Sequence, residues 1–282
     1  LIMVRATGYG QTGPYSSKPG FARVGQAFGG LTYLAGEPGG PPLTPGSTTL
    51  SDYITPIFGA FGTMLALRHR DRTQQGQVVD VALYETTFRS LDTITVDYSS
   101  RKLIRDRTGR SGAPYAAPHG QFPCKDGNWI ALACTGDRMW QRFCKAVGRD
   151  ELAEDNRFVT LEPRLLNRDE LDSIVDGITT QYNRDDLLAM FDREEVAAGP
   201  VNNIEDIFHD PHYWAREMLL KMTDPLYGEL TFPGIVPKLS ETPGTIETLG
   251  PPVLGQHNHE IYGNLLGLTE KEIDELSEKG VI

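Results

Sequence analysis

Cysteine is scarce in this sequence. The 282 residues hold three, Cys124, Cys134 and Cys144. An odd number without metal-ligand spacing argues against a disulfide framework and a cysteine-based metal site, and points to reduced thiols in a cytosol-like compartment. Positive charge is also in short supply. Lys and Arg total 27 against 38 Asp and Glu, giving a net charge of -11. That balance argues against nucleic acid as a partner, although a local basic pocket for an anionic ligand remains compatible with it. No apolar run reads as long enough for a membrane span, so no membrane partner is expected. His257 and His259 have no companion at metal-site spacing, and no metal is expected. Gly8-Tyr9-Gly10-Gln11 lacks the full G-x-G-x-x-G spacing of a dinucleotide fingerprint. Internal repeats and low-complexity tracts are absent. The length suffices to bury a full core, in two lobes.

The chain opens on Leu1-Ile2-Met3-Val4-Arg5-Ala6, which reads as a buried strand already under way. It is therefore expected to be the C-terminal portion of a longer protein. A Gly/Ser/Pro-rich loop follows over Gly8–Pro19, then a short helix over Phe21–Gly30. The stretch Ile54–Leu67 is apolar on most faces, which predicts a buried helix over Tyr53–Arg70 with Pro56 in its first turn. Gly59 and Gly62 on that helix would let another backbone approach closely. Gln77–Leu83 predicts a strand and Tyr84–Ser100 a helix. Arg101–Gly112 reads as a linker.

Beyond it, Gln121–Cys124 and Trp129–Ala133 flank Lys125-Asp126-Gly127-Asn128. The Asp-Gly pair there predicts a β-hairpin. Asp137–Val147, Arg168–Tyr182 and Arg184–Glu194 carry helical periodicity. Strands are expected over Leu219–Pro225, Leu230–Phe232 and Ile235–Pro237, and Thr242–Pro252 is a proline- and glycine-rich crossing segment. Two helices close the chain, Asn258–Gly267 and Glu270–Lys279. Thr269 and Glu272 form the capping-box pattern at the start of the second.

The residue of most chemical interest is Asp52, in Ser47-Thr48-Thr49-Leu50-Ser51-Asp52-Tyr53. It stands where a polar loop runs into the apolar helix. A helix N-terminus favours an ionised carboxylate. Two readings follow: a plain N-cap, or a permanently charged nucleophile.

The surrounding motifs are similar to those of the class III CoA-transferases, the family of formyl-CoA transferase. They are Gly8-Tyr9-Gly10-Gln11-Thr12-Gly13-Pro14-Tyr15, Gly25-Gln26-Ala27-Phe28-Gly29-Gly30 and Gly36-Glu37-Pro38-Gly39-Gly40-Pro41-Pro42. Arg72-Thr73, Gly76-Gln77 and Asp80-Val81-Ala82-Leu83-Tyr84-Glu85 come next. Ala198-Gly199-Pro200-Val201, His209-Asp210-Pro211 and Leu254-Gly255-Gln256-His257 complete the set. The resemblance covers nearly the whole chain, and its order and spacing carry it.

The resemblance implies an α/β fold: a Rossmann-like large lobe, incomplete here, with an inserted smaller α+β lobe. The expected layout is a large lobe over residues 1–100, a linker over 101–112 and a small lobe over 113–200. A return segment then covers 201–251, and C-terminal helices over 252–282 return to the large lobe. The implied reaction moves CoA from an acyl-CoA to a carboxylic acid, through anhydride and thioester intermediates on Asp52. CoA enters as part of the substrate, and no separate cofactor is implied. Gly8, Tyr9, Lys18 and Arg23 are candidates for CoA contacts, with solvated surface charge the competing reading for the two cations. His119 and Gly120 are substrate candidates, with a structural loop as the alternative. Gly29-Gly30 and Gly39-Gly40 serve either as oxyanion donors or as ordinary turns. Family members form interlocked homodimers.

Two rival readings stand beside it. One is an acyl-CoA racemase of the same fold, which needs an acid/base histidine and a nearby acid. The corresponding stretch, Gly20-Phe21-Ala22, has neither. The other is a catalytically silent fragment.

Overall fold

The computed structural model describes residues 1–91, 93–111, 115–247, 249–250 and 253–282. The end of the expected linker, the start of the expected small lobe, and parts of the Thr242–Pro252 segment lie outside the described residues. Contacts divide the chain into two units, Leu1–Val201 and Asn202–Ile282.

The first unit begins with strand β1 (Met3–Thr7), helices α1 (Ala22–Phe28) and α2 (Leu31–Leu34), and the long helix α3 (Leu50–Thr73). Strand β2 (Val78–Ala82) and helices α4 (Leu83–Arg89) and α5 (Ile94–Arg101) follow. β1 and β2 pair in parallel, with Met3 opposite Val78 and Thr7 opposite Ala82. α3 lies against this pair. A side chain at Gly59 would touch Val4 and Val81, and one at Gly62 would clash with Val79. The two glycines therefore seat the helix close on the strands.

Three expectations fail here. α3 is not buried on most faces. Its buried positions are Ser51, Thr55, Gly59 and Ala66, a stripe at helical spacing. Apolar Tyr53, Ile57, Phe61 and Met64 face outward, between 62% and 68% exposed. β1 is not buried either, because β2 is its one strand neighbour among the described residues; Met3 and Val4 are 41% and 44% exposed. The predicted helix over Tyr84–Ser100 is two helices, separated after Arg89. In addition, α3 is 24 residues long and, by length and composition alone, apolar enough to cross a membrane, contrary to the sequence expectation.

An exposed apolar stripe of this size promotes association. The 282-residue chain on its own is expected to sediment as concentration-dependent oligomers and to bind a hydrophobic dye. Ile57→Glu combined with Phe61→Glu should return it to monomer. A monodisperse, dye-negative wild-type chain would contradict this reading of the stripe.

The rest of the first unit holds the largest core. Strands β3 (His119–Pro123) and β4 (Trp129–Ala133) form the predicted hairpin, and β5 (Ala198–Pro200) adds to β4. The turn closes through the Gly127 N–H on the Cys124 carbonyl at 3.2 Å, with Gly127 at φ 80°. Helices α6 (Asp137–Ala146), α7 (Glu151–Glu154), α8 (Leu161–Leu166), α9 (Arg168–Thr179) and α10 (Arg184–Arg193) accompany this sheet. Trp140 stacks on Phe143 with ring centroids 5.3 Å apart, and Phe158, Leu171, Val175, Leu187 and Phe191 surround them, all fully buried.

The second unit contains α11 (Ile204–His209), α12 (Pro211–Ala215), an antiparallel hairpin of β6 (Leu219–Asp224) and β7 (Gly228–Pro233), and the terminal helix α13 (Glu270–Glu278). The predicted capping box is present: Thr269 Oγ1 accepts from the Glu272 N–H at 3.3 Å, and Glu272 Oε2 accepts from the Thr269 N–H at 2.8 Å. Ile235–Pro237, read from sequence as a strand, has no strand partner among the described residues. His259–Leu265 is a π-helical turn where the sequence pattern predicts an ordinary helix.

Candidate active site

Thr49 is the N-cap of α3, so Asp52 is the third residue of its first turn and not the cap. The helix starts earlier than expected because Leu50 and Ser51 already carry helical backbone. The Asp52 N–H donates to the Thr49 carbonyl at 2.8 Å. The Asp52 side chain is exposed and, among the described residues, accepts no hydrogen bond and joins no ion pair. A carboxylate in the first turn gains from the helix dipole. One with no competing donor is free to attack an incoming carbonyl.

Pro56 adds a second feature. It lies four residues after Asp52, inside the helix and not in its first turn. Proline has no N–H, so it cannot supply the helical bond to the Asp52 carbonyl. The turn bearing Asp52 is held from outside instead. Ser51 Oγ donates to the Ala22 carbonyl of α1 at 3.0 Å. Thr55 Oγ1 lies 2.8 Å from Thr86 Oγ1 of α4. The sequence reading singled out neither hydroxyl.

The loop after β1 is well anchored. The Gly10 N–H donates to Thr7 Oγ1 and the Gln11 N–H to Asp80 Oδ2, both at 2.9 Å. A side chain on Gly8 would stand 2.7 Å from the Gly20 Cα, so only glycine fits that crossing. The Tyr9 ring packs edge-on to Phe28 at 5.2 Å and to Tyr15 at 5.8 Å, and Phe28 meets Tyr84 at 5.0 Å. This aromatic group ties the loop to α1 and α4. Burial and the neighbouring Glu85 raise the Tyr84 phenol, which stays neutral. Glu85 buttresses the start of α4, accepting from the Ala82 N–H at 3.2 Å.

Lys18 is exposed, with Nζ 3.6 Å above the Tyr15 ring. Arg23 is exposed on α1 next to Ala22, whose carbonyl meets Ser51. Arg23 and Asp52 therefore flank one α1–α3 contact.

His119 and Gly120 lie elsewhere in the unit, on β3. β3 packs on β4 and α9, whereas α3 packs on α1, α4, β1 and β2. No hydrogen bond or ion pair joins His119 to Asp52 among the described residues. His119 is half-buried, and its Nδ1 has no hydrogen-bond partner among the described residues. It borders a shallow depression of about 390 Å³ with Gly120, Ala131, Ala133, Ala198 and Gly199. A side chain on Gly120 would strike the Arg110 carbonyl at 2.3 Å.

The cysteines offer no competing nucleophile. All three are buried. Burial pushes the Cys144 thiol up to about 12 and the Cys134 thiol higher still. Thiols this far above neutral pH carry negligible thiolate.

Residues 1–258 match CoA-transferase family III. The chain is 44% identical to the beta subunit of succinyl-CoA–L-malate CoA-transferase from Chloroflexus aurantiacus, covering 100% of this chain and 70% of that protein. It is 43% identical to an alpha subunit of the same name and organism, covering 100% of this chain and 65% of that relative. Among solved structures, a CAIB/BAIF family protein from Brucella suis superposes with a TM-score of 0.79 at 32% identity. That match covers 94% of this chain and 68% of the other. The chain belongs to CoA-transferase family III and has the α/β fold of that family. It spans about two thirds of the length of these relatives.

Proposed function

We propose that the protein is a CoA-transferase in which Asp52 is the nucleophile. The observation that carries this is an exposed, unengaged carboxylate in the first turn of α3, in a chain of this family. The Asp52 carboxylate attacks the thioester carbonyl of the donor acyl-CoA. The C–S bond breaks, CoA leaves as thiolate and a mixed anhydride forms. The thiolate attacks the aspartyl carbonyl, which releases the donor acid and leaves an aspartyl-CoA thioester. The acceptor carboxylate attacks that thioester and expels the thiolate again. The thiolate then takes the acceptor acyl group from the second anhydride, and Asp52 returns to its starting form.

A carboxylate is a weak nucleophile, so holding it against the thioester supplies much of the rate. Gly8, Tyr9, Lys18 and Arg23 are assigned to CoA, and His119 and Gly120 to the acid substrate. No metal or further cofactor is invoked, and nucleic acid and membranes are not partners. The proposed assembly is an interlocked homodimer in the cytoplasm.

Succinyl-CoA is the proposed donor and a hydroxylated dicarboxylic acid such as malate the proposed acceptor. Two relatives at 43–44% identity carry those substrates in their names. Incubation with succinyl-CoA, acid quench and intact-mass measurement should show a CoA adduct that maps to the Asp52 peptide and disappears on adding L-malate. Turnover without any adduct would overturn the covalent mechanism.

The racemase alternative makes an opposite prediction. Phe21 and Ala22 have no titratable group, and a racemase must remove and return an α-proton. The protein is expected not to exchange the α-proton of a 2-methylacyl-CoA in heavy water. Catalysed deuterium uptake, read by mass spectrometry, would reverse the assignment.

A further inference from the structure

The junction of α1, α3 and α4 is built with polar side chains. Ser51, Thr55, Thr86, Thr87 and Gln26 are all buried there, each at most 3% exposed. Ser51 and Thr55 are four residues apart and share one face of α3. Their hydroxyls reach different helices. Ser51 donates to the Ala22 carbonyl of α1 at 3.0 Å. Thr55 Oγ1 lies 2.8 Å from Thr86 Oγ1, and Thr86 Oγ1 is also 3.1 Å from the Leu83 carbonyl oxygen. Thr87 donates to the same Leu83 carbonyl at 3.0 Å. The result is a connected set of hydrogen bonds from α3 into the first turn of α4.

This arrangement is not the one stability alone selects. Gln26 leaves both amide atoms without a hydrogen-bond partner among the described residues. Unsatisfied buried polar atoms destabilise a fold, whereas apolar groups of the same shape in such a junction would not. The polar contacts also fall on one particular turn of α3. Pro56 deprives that turn of a backbone bond at the Asp52 carbonyl. Ser51 is the neighbour of Asp52, and Thr55 is the neighbour of Pro56. The two hydroxyls therefore clamp the segment that the proline weakens, on both sides of the exposed carboxylate.

We infer that Ser51 and Thr55 are positioning residues, whose hydroxyls lock the first turn of α3 to α1 and α4 and hold the Asp52 carboxylate at a fixed point for attack. The inference rests on the assignment of Asp52 as nucleophile. Attack by a weak nucleophile depends steeply on placement, and a shift of about 1 Å can cost on the order of a hundredfold in rate. Both hydroxyls are buried and bonded within the protein, so removing one should slow the covalent step and leave acyl-CoA binding intact.

The test compares Ser51→Ala, Thr55→Val, Thr55→Ser and Asp52→Ala in the protein, with succinyl-CoA as donor. The readouts are the rate of CoA-adduct formation, KM for the donor and the thermal midpoint. Thr55→Val keeps the side-chain shape and removes the hydroxyl, and Thr55→Ser keeps the hydroxyl. Ser51→Ala and Thr55→Val should each slow adduct formation by about tenfold or more, with KM within about twofold of wild type. Thr55→Ser should stay near the wild-type rate. A purely structural seam would instead lower the midpoint and leave the rate per folded molecule unchanged. Wild-type rates in both hydroxyl-free variants, or an equal loss in Thr55→Ser, would overturn the inference while leaving the nucleophile in place. An adduct formed by Asp52→Ala would overturn the nucleophile, and this inference with it.

Discussion

Asp52→Ala is expected to reduce CoA transfer by at least about a thousandfold, because the covalent route disappears and acceptor and donor are left to react directly. The folded state should barely register the change. The Asp52 carboxylate accepts no hydrogen bond among the described residues, and Thr49, not Asp52, caps α3. The stability at stake is then the charge–dipole contribution of one first-turn carboxylate, about 0.3–1 kcal/mol. Asp52→Glu is the sharper comparison. It keeps the charge and moves the oxygens by one methylene, so a fixed attack geometry requires that it too lose most of the activity. Steady-state transfer with succinyl-CoA, measured beside thermal unfolding, checks both variants. Retention of more than a few per cent of the activity by Asp52→Ala would remove the nucleophile role.

The position of Asp52 was legible because a helix start is written locally: polar residues, a carboxylate, then an apolar run. The hairpin around Asp126-Gly127 and the box of Thr269 and Glu272 were legible for the same reason, since each is set by residues within a few positions of one another. The extent of burial on α3 was not. Ile57, Phe61 and Met64 are as apolar as any core residue, and periodicity states which residues share a face without stating what covers it. The same limit applies to β1, whose alternation of side chains cannot count its neighbouring strands. The break after Arg89 has no glycine or proline to announce it.

Sequence reasoning singled out the Asp52 carboxylate and passed over Ser51 and Thr55. Both look like polar interruptions of an apolar helix, and their partners, Ala22 and Thr86, are about thirty positions away. The available signal was their spacing of four, which puts both on one face. His119 and Gly120 share a depression with each other and not with Asp52. The family resemblance is what links them to the acid substrate, and local chemistry by itself does not join them to Asp52.

The largest effect on stability is expected at a residue outside the proposed chemistry. Arg164 is fully buried, and each of its three guanidinium nitrogens donates a hydrogen bond. Nε donates to the Ala117 carbonyl at 2.8 Å, Nη1 to the Phe158 carbonyl at 2.9 Å and Nη2 to Asp137 Oδ1 at 2.7 Å. The group also lies over the Trp140 ring, 5.9 Å from its centroid. Arg168 donates to the adjacent Ala116 carbonyl at 2.8 Å, so two arginines fix the backbone that leads into His119. Arg164→Ala would open a cavity beside Trp140 and strand two buried carbonyls. A loss of about 3–5 kcal/mol is expected, the scale for breaking a buried charged network.

Arg164→Lys should recover only a minor part, because an ammonium cannot span three acceptors held in a planar fork. Asp137→Asn should cost far less, about 1 kcal/mol or below, since the Asp137 side chain is 47% exposed and water screens the pair. Urea unfolding of the three variants, followed by tryptophan fluorescence, measures the order directly. If Arg164→Ala cost no more than Asp137→Asn, the buried guanidinium would not be the pin of this core, and the small sheet would owe its order to the packing of Trp140, Phe143 and Phe158 alone.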